Sequence, residues 1–131
     1  MKRIEVVAGI IFFQNRILCV QRPKNNLLYI SHKFEFPGGK IENGETKKEA
    51  LKRELIEELN IEPNINDLYL TVIHQYPDFE LTMHSFICEV ETKELTLHEH
   101  INQVWLTRQE LNKLDWAAAD IPIVEKLVLN G

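Results

Sequence analysis

At 131 residues the chain can enclose a core without disulfides or a structural metal, and a single domain over residues 1–131 is expected. Its 15 basic and 20 acidic residues leave a net charge of −5, which argues against the broad basic face that a nucleic-acid polymer requires. No apolar run reaches membrane-spanning length, and Met1-Lys2-Arg3-Ile4-Glu5 lacks the apolar stretch of a signal peptide, so a cytoplasmic protein is expected, without a membrane partner, as a monomer or a homodimer.

In chain order, Arg3 to Phe13 is rich in Val and Ile and predicts a strand. Gln14-Asn15 is a turn, and Arg16 to Gln21 is its hairpin partner. Cys19 here and Cys88 later lie in apolar strand-like runs with no partner at metal-ligand spacing, which reads as two buried, reduced thiols. Residues 22–33 form a polar loop, and Lys33 to Phe36 is a short strand entering a Pro37-Gly38-Gly39 turn. A helix starts at Glu45 or Thr46 and runs to about Leu59, with Leu51, Leu55 and Leu59 as its buried stripe. After Glu62-Pro63-Asn64, strands are predicted over Leu68 to Gln75 and Glu80 to Val90, separated by a turn at Pro77-Asp78. In the second strand both alternating sets contain apolar residues, so a sheet covered on both faces is expected. Gln103 to Leu106 is a further strand, Thr107-x-x-Glu110 caps a short helix, and a last helix starts near Asp120 with Pro122 in its first turn. Mixed strands between helices predict an α+β fold, an α/β/α sandwich.

The chemistry concentrates in one helix. Glu54, Glu57 and Glu58 stand at i, i+3 and i+4, so their carboxylates leave one helical face. Like charges at that spacing cost about 0.2–0.5 kcal/mol, and a solvated face would gain from a lysine instead. Hard oxygen ligands gathered in this way suit Mg²⁺, which keeps positions open for water and substrate phosphates. A cation of this kind would also offset the repulsion between an acidic protein and a triphosphate. Arg53 lies four residues from Glu49 and from Glu57, within ion-pairing reach of each.

The run from Gly39 to Ile61 resembles the Nudix hydrolase signature: glycine, five residues, glutamate, seven residues, then Arg-Glu-apolar-x-Glu-Glu-x-Gly-apolar. Gly39, Glu45, Arg53, Glu54, Leu55, Glu57, Glu58 and Ile61 match it. Asn60 stands where the family has glycine, and asparagine also tolerates the left-handed conformation that closes a helix. Phe34-Glu35-Phe36-Pro37-Gly38-Gly39-Lys40-Ile41-Glu42, Tyr76-Pro77-Asp78 and Ala119-Asp120-Ile121-Pro122-Ile123 are similar to the MutT-like branch, and the resemblance covers nearly the whole chain.

The resemblance implies the Nudix fold and attack of water on an internal phosphorus of a nucleoside triphosphate, releasing monophosphate and pyrophosphate. It implies Mg²⁺, or Mn²⁺ in its place, held by Gly38, Glu54, Glu57, Glu58 and Glu99. Glu54, Glu57, Glu58, Arg53 and Glu45 would carry the catalysis, with Arg53 orienting the acids and Glu54 the first choice of base, ahead of Glu99 and Glu45. Gly39 would approach the phosphates, and Arg22, Phe36, Asp78 and Asp120 would line the base pocket. The family's enzymes for oxidised guanine carry asparagine at Asp120's position. An ionised aspartate only accepts hydrogen bonds, which leaves oxidised dGTP and a cytosine nucleotide both open. His98-Glu99-His100 has no third soft ligand close in sequence, so zinc is not expected, and His32, His74 and His84 read as surface or satisfied sheet residues. A nucleotide-binding regulatory domain without turnover is the alternative from another class. Hydrolysis of ADP-ribose, dinucleoside polyphosphates or capped RNA ranks below the triphosphate within the enzyme class.

Overall fold

The alternation along β1 (Lys2–Phe13) divides the molecule into two cores. Ala8 and Ile10 face one side of the sheet, Val7 and Ile11 the other, and all four are buried. The computed structural model describes residues 2–130; Met1 and Gly131, the ends of the expected domain, lie outside the described residues. β2 (Arg16–Gln21) returns along β1 through Gln14-Asn15, pairing Phe13 with Arg16, and Gln14 takes the left-handed conformation (φ 54°) that closes the turn. β3 (Phe34–Glu35) pairs with β2 and β4 (Gly38–Lys40) pairs with β1.

α1 (Lys47–Leu59) follows, capped by Thr46 and Glu49 in a reciprocal box. Asn60 closes it at φ 56° and ψ 42°, the left-handed cap expected of asparagine in glycine's place. β5 (Asn64–Gln75) and β6 (Phe79–Glu89) form an antiparallel pair, and β6 runs parallel to β1 from Lys2 opposite Phe79 to Phe12 opposite Glu89. β7 (Asn102–Leu106) joins the outer side of β2, completing a mixed seven-stranded sheet.

Helices cover both faces, as the alternation predicts. Leu51, Leu55 and Leu59 are fully buried against Val7, Ile11, Leu18 and Phe86. Full burial of each such side chain contributes about 1.5–3 kcal/mol. On the other face α2 (Ile121–Leu129) and two 3₁₀ segments, Arg108–Lys113 and Ala118–Asp120, bring Leu111, Ile123, Val124 and Leu127 onto Ala8, Ile10, Ile17 and Met83. The result is an α+β sandwich. Ala50 of α1 belongs to the same apolar cluster as the three leucines.

Two local expectations change and a third holds. Pro37-Gly38-Gly39 is not a turn: Gly38 and Gly39 sit in β4 opposite Ala8 and Val7. A Cβ on Gly38 would lie 1.9 Å from the Val7 carbonyl oxygen, so close backbone approach demands glycine there. β5 begins at Asn64 rather than Leu68, because register shifts around Leu68 break the period of two that reveals a strand. The Thr107–Glu110 box is formed, and the turn it heads is the 3₁₀ segment Arg108–Lys113.

Candidate active site

Arg53 is the hub of the acidic end. Its Nε donates to Glu45 Oε2 at 2.6 Å and its Nη2 to Glu45 Oε1 at 2.9 Å, a bidentate pair. Nη1 donates to Glu54 Oε1 at 3.0 Å and to Glu57 Oε2 at 3.3 Å, and Nη2 reaches the Lys40 carbonyl at 3.0 Å. Glu49, expected within reach of Arg53, is the capping partner of Thr46 instead. Hydrogen bonds from Arg53 hold the Glu45 carboxyl down at about 2, so Glu45 is an orienting anion and a poor proton acceptor.

Glu54 and Glu58 form the acid pair proper. Glu58 is only 6% exposed, and burial, then a hydrogen bond with Glu54, then the charges of Glu54, Glu99 and Glu35 push its carboxyl up to about 9. Burial and the neighbouring charges thus favour the protonated form of Glu58. Glu58 Oε2 is buried without a partner. A Cβ on Gly39 would stand 2.4–2.6 Å from the Glu54 carboxylate atoms, so glycine clears the room that this carboxylate occupies. The segment before Glu99 is laid on the end of α1 by bonds from Thr96 N to Leu59 O (3.0 Å) and His98 N to Glu58 O (3.1 Å).

Gly38, Gly39, Glu54, Glu58 and Glu99 line one cavity of about 600 Å³. Glu57 does not line it; its side chain is 59% exposed and turned to Arg53. Among the described residues no three acid, His or Cys side chains are already gathered around one point. The donor set nevertheless fits a hard divalent cation. Oxygen ligands, an orphaned Glu58 oxygen and a Glu58 carboxyl pushed upward by burial and by the charges of Glu54, Glu99 and Glu35 mark a place that a cation would relieve.

The other end of the cavity is aromatic. Phe36 is buried, packs on Trp116 at 4.7 Å between ring centroids, and donates its backbone N–H to Asp120 Oδ1 at 3.0 Å. Asp120 is 4% exposed, and burial, then the charge of Glu35, pushes its carboxyl well above the usual range toward the neutral acid. Burial thus works against the acceptor-only anion expected at Asp120, while the Phe36 N–H works for it. Tyr76 is buried beside them, its hydroxyl accepting from Ala119 N at 3.0 Å. Arg22 lines the cavity, whereas Asp78 stands outside and accepts a hydrogen bond from the hydroxyl of Tyr29, which stacks on Tyr76 at 5.2 Å.

Glu35, Tyr29, Tyr76 and His100 are site features that the sequence reading missed. Glu35 and Tyr76 lay within the quoted MutT-like runs, and Glu35, a charged residue between two phenylalanines, carried a signal of its own. His84 is a satisfied sheet residue as expected, bonded to Thr71 (2.9 Å) and Glu5 (2.6 Å).

Residues 6–126 match the NUDIX domain family. The chain belongs to that family. It is 33% identical over 127 residues to an 8-oxo-dGTP diphosphatase of Escherichia coli K12, covering 97% of this chain and 98% of that enzyme. It is 36% identical over 125 residues to a CTP pyrophosphohydrolase of the same organism, covering 95% and 91%. A solution structure of a MutT protein of the Nudix hydrolase family from methicillin-resistant Staphylococcus aureus superposes with a TM-score of 0.76 at 41% identity, covering 100% of both chains.

In this Nudix hydrolase the signature resolves into separate jobs. Arg53 and Glu45 form a clamp, Glu58 is buried beside Glu54 with its carboxyl pushed upward, and Gly39 leaves space for Glu54. Among the described residues no helix is long and apolar enough to cross a membrane.

Proposed function

We propose that this protein is a Mg²⁺-dependent nucleoside triphosphate pyrophosphohydrolase of the MutT-like kind, with Mn²⁺ able to replace Mg²⁺. It would convert a (deoxy)nucleoside triphosphate to the monophosphate and pyrophosphate, as a one-domain cytoplasmic enzyme clearing altered nucleotides such as 8-oxo-dGTP, or acting on CTP or dCTP. The observation that carries this reading is the Glu54–Glu58 acid pair at one end of a cavity whose other end holds Phe36 and Asp120.

The chain's own groups divide the work. Glu54, Glu58 and Glu99, with the Gly38 backbone, would hold the cation, and Glu57, now paired with Arg53, would be a further ligand. When bound, that cation offsets phosphate charge and acidifies a water. Arg53 fixes the carboxylate of Glu54, and the Glu54–Glu58 pair accepts the proton of the attacking water. The new bond joins the water oxygen to one of the two phosphorus atoms of the α–β phosphoanhydride, that anhydride bond breaks, and its electron pair leaves with the other fragment, giving monophosphate and pyrophosphate. Phe36 presents its ring to the base, and Asp120 meets the base edge as donor and acceptor.

Incubation with a nucleotide panel and Mg²⁺ tests the reading. Monophosphate and pyrophosphate should appear together. Orthophosphate as the sole product would move the cleaved bond, and binding without turnover under any divalent metal would make the protein a sensor.

A further inference from the structure

We propose that the outer edge of β5 is an interface with a second copy of this chain, the two β5 strands pairing antiparallel around Ile73. The surface lies outside the cavity, so the inference stands or falls independently of the hydrolase reading.

β5 ends its side of the sheet: it pairs with β6, and among the described residues no strand lies beyond it. Tyr76 N–H donates to Phe79 O, and the same register runs unbroken back to Leu70 opposite Ser85. Alternation along an antiparallel ladder therefore turns the peptide groups of Thr71 and Ile73 away from β6, toward the open edge. Such edges are ordinarily blunted by charges, proline, a bulge or a covering group. The first part of β5 has this protection. Register shifts break it around Leu68, and Lys126 Nζ donates to the Tyr69 carbonyl at 2.9 Å. The part that follows, Thr71-Val72-Ile73-His74, contains no acid, lysine, arginine, proline or glycine, and its Ile73 is 68% exposed.

The pattern around this stretch selects a second copy as the occupant. A two-fold axis at Ile73 sets the two Ile73 residues directly opposite, each N–H donating to the other's carbonyl, and their exposed side chains cover one another on one face. The same register places Tyr69 opposite Pro77 of the second copy. Lys126, held at Tyr69, then faces Asp78 in the second copy's β5–β6 turn, and the symmetry makes that contact twice. A parallel pairing would instead set Lys126 against Lys126 and Asp78 against Asp78. Opposite charges at the two ends of an uncharged stretch thus fix an antiparallel, self-complementary pair. A ladder this short makes a reversible dimer, small beside obligate interfaces.

Sedimentation equilibrium of the full chain over a range of protein concentrations should show monomer passing to dimer. Ile73→Lys, at an exposed position, should raise the dissociation constant by about tenfold or more, because two like charges then stand opposite each other. Ile73→Cys should give a disulfide-linked dimer under mild oxidation, since Cα atoms about 5.5 Å apart in a hydrogen-bonded pair are within bridging reach. Thr71→Cys should not, because Thr71 lies opposite Gln75 of the second copy. Cys19 and Cys88 are buried and stay silent in both variants. Should Ile73→Lys fail to fold, the two cysteine variants carry the test. A wild type that remains monomeric throughout overturns the proposal and leaves the edge to a strand of another protein. So does a dimer that Ile73→Lys leaves intact, or one that cross-links through Thr71→Cys as readily as through Ile73→Cys.

Discussion

The two ends of the cavity each hold an acid pushed upward by burial, and they treat it differently. At the acid end the partner of Glu58 is another carboxylate, Glu54, fixed in turn by Arg53. At the aromatic end the partner of Asp120 is a peptide N–H, that of Phe36, in a wall of packed rings. A proton held on one of two neighbouring acids is easily exchanged for a cation, because the departing proton leaves a site with two anionic ligands. At Asp120 burial likewise favours the neutral acid, which in that form would donate as well as accept. The same physical push thus prepares one end for metal and the other for reading a neutral base.

The sharpest way to break this contrast is Glu58→Gln. The amide mimics the protonated acid but cannot become anionic, so kcat should fall by about 10²–10⁴-fold. The metal-free protein should melt at the same temperature as the wild type or higher. A large loss of thermal stability without metal would mean that Glu58 is ionised in the fold, and the upward push on its carboxyl would be wrong.

The adjacent glycines separate activity from stability. Gly39→Ala drives a Cβ into the Glu54 carboxylate, the far end of a flexible side chain that can move aside, so the fold survives while kcat/KM falls by about tenfold to a hundredfold. Gly38→Ala drives its Cβ into the Val7 carbonyl, rigid backbone in the middle of the β1–β4 pairing, and should cost about 1–3 kcal/mol or more of stability. Chemical denaturation and steady-state kinetics on the two variants should show these opposite profiles.

The pH dependence tests the acid end without mutation. Glu58 keeps its proton in the folded chain up to about 9, whereas the unfolded chain releases it near 4.5. Between those values the folded state binds more protons, so metal-free stability should decline as pH rises through that window. Glu45 works in the opposite sense: held at about 2 when folded, it adds stability above 4.5 that is lost as pH falls toward 2. Thermal melts of metal-free protein should peak in mildly acidic buffer. Saturating Mg²⁺ should flatten the alkaline decline and release about one proton per protein at pH 7, read by calorimetry in buffers of different ionisation enthalpy.

How much of this was legible follows from distance along the chain. Most of the acid end lies within one stretch, from Gly38 to Glu58, with Glu99 added from farther along the chain, and helical spacing alone placed Glu54 and Glu58 together. Even there spacing could not choose among rotamers, which is why Arg53 took Glu45 rather than Glu49 and why Glu57 turned outward. The sandwich followed from alternation in β1 and β6, while bulges hid the start of β5. The aromatic end joins Phe36 to Asp120 across 84 positions and Glu35 to His100 across 65, contacts that no local period encodes. Its residues came from resemblance, and the ionisation of Asp120 came from neither, because burial is a property of the assembled fold.

The smallest expected effect sharpens the aromatic side of the comparison. If Asp120 is a neutral acid, Asp120→Asn exchanges one group that donates and accepts for another of nearly the same shape. Phe36 N–H keeps its acceptor, the base keeps a donor, and the ratio of kcat/KM between 8-oxo-dGTP and dCTP should move by about tenfold or less, the scale of one neutral hydrogen bond. If Asp120 were ionised, asparagine would supply a donor where an anion had stood and remove a charge, and the ratio should shift by far more. Repeating the measurement at several pH values separates the cases again. The asparagine variant has nothing to titrate at that position, so a base ratio that varies with pH in the wild type and stays level in the variant would place the ionisation of Asp120 within the working range.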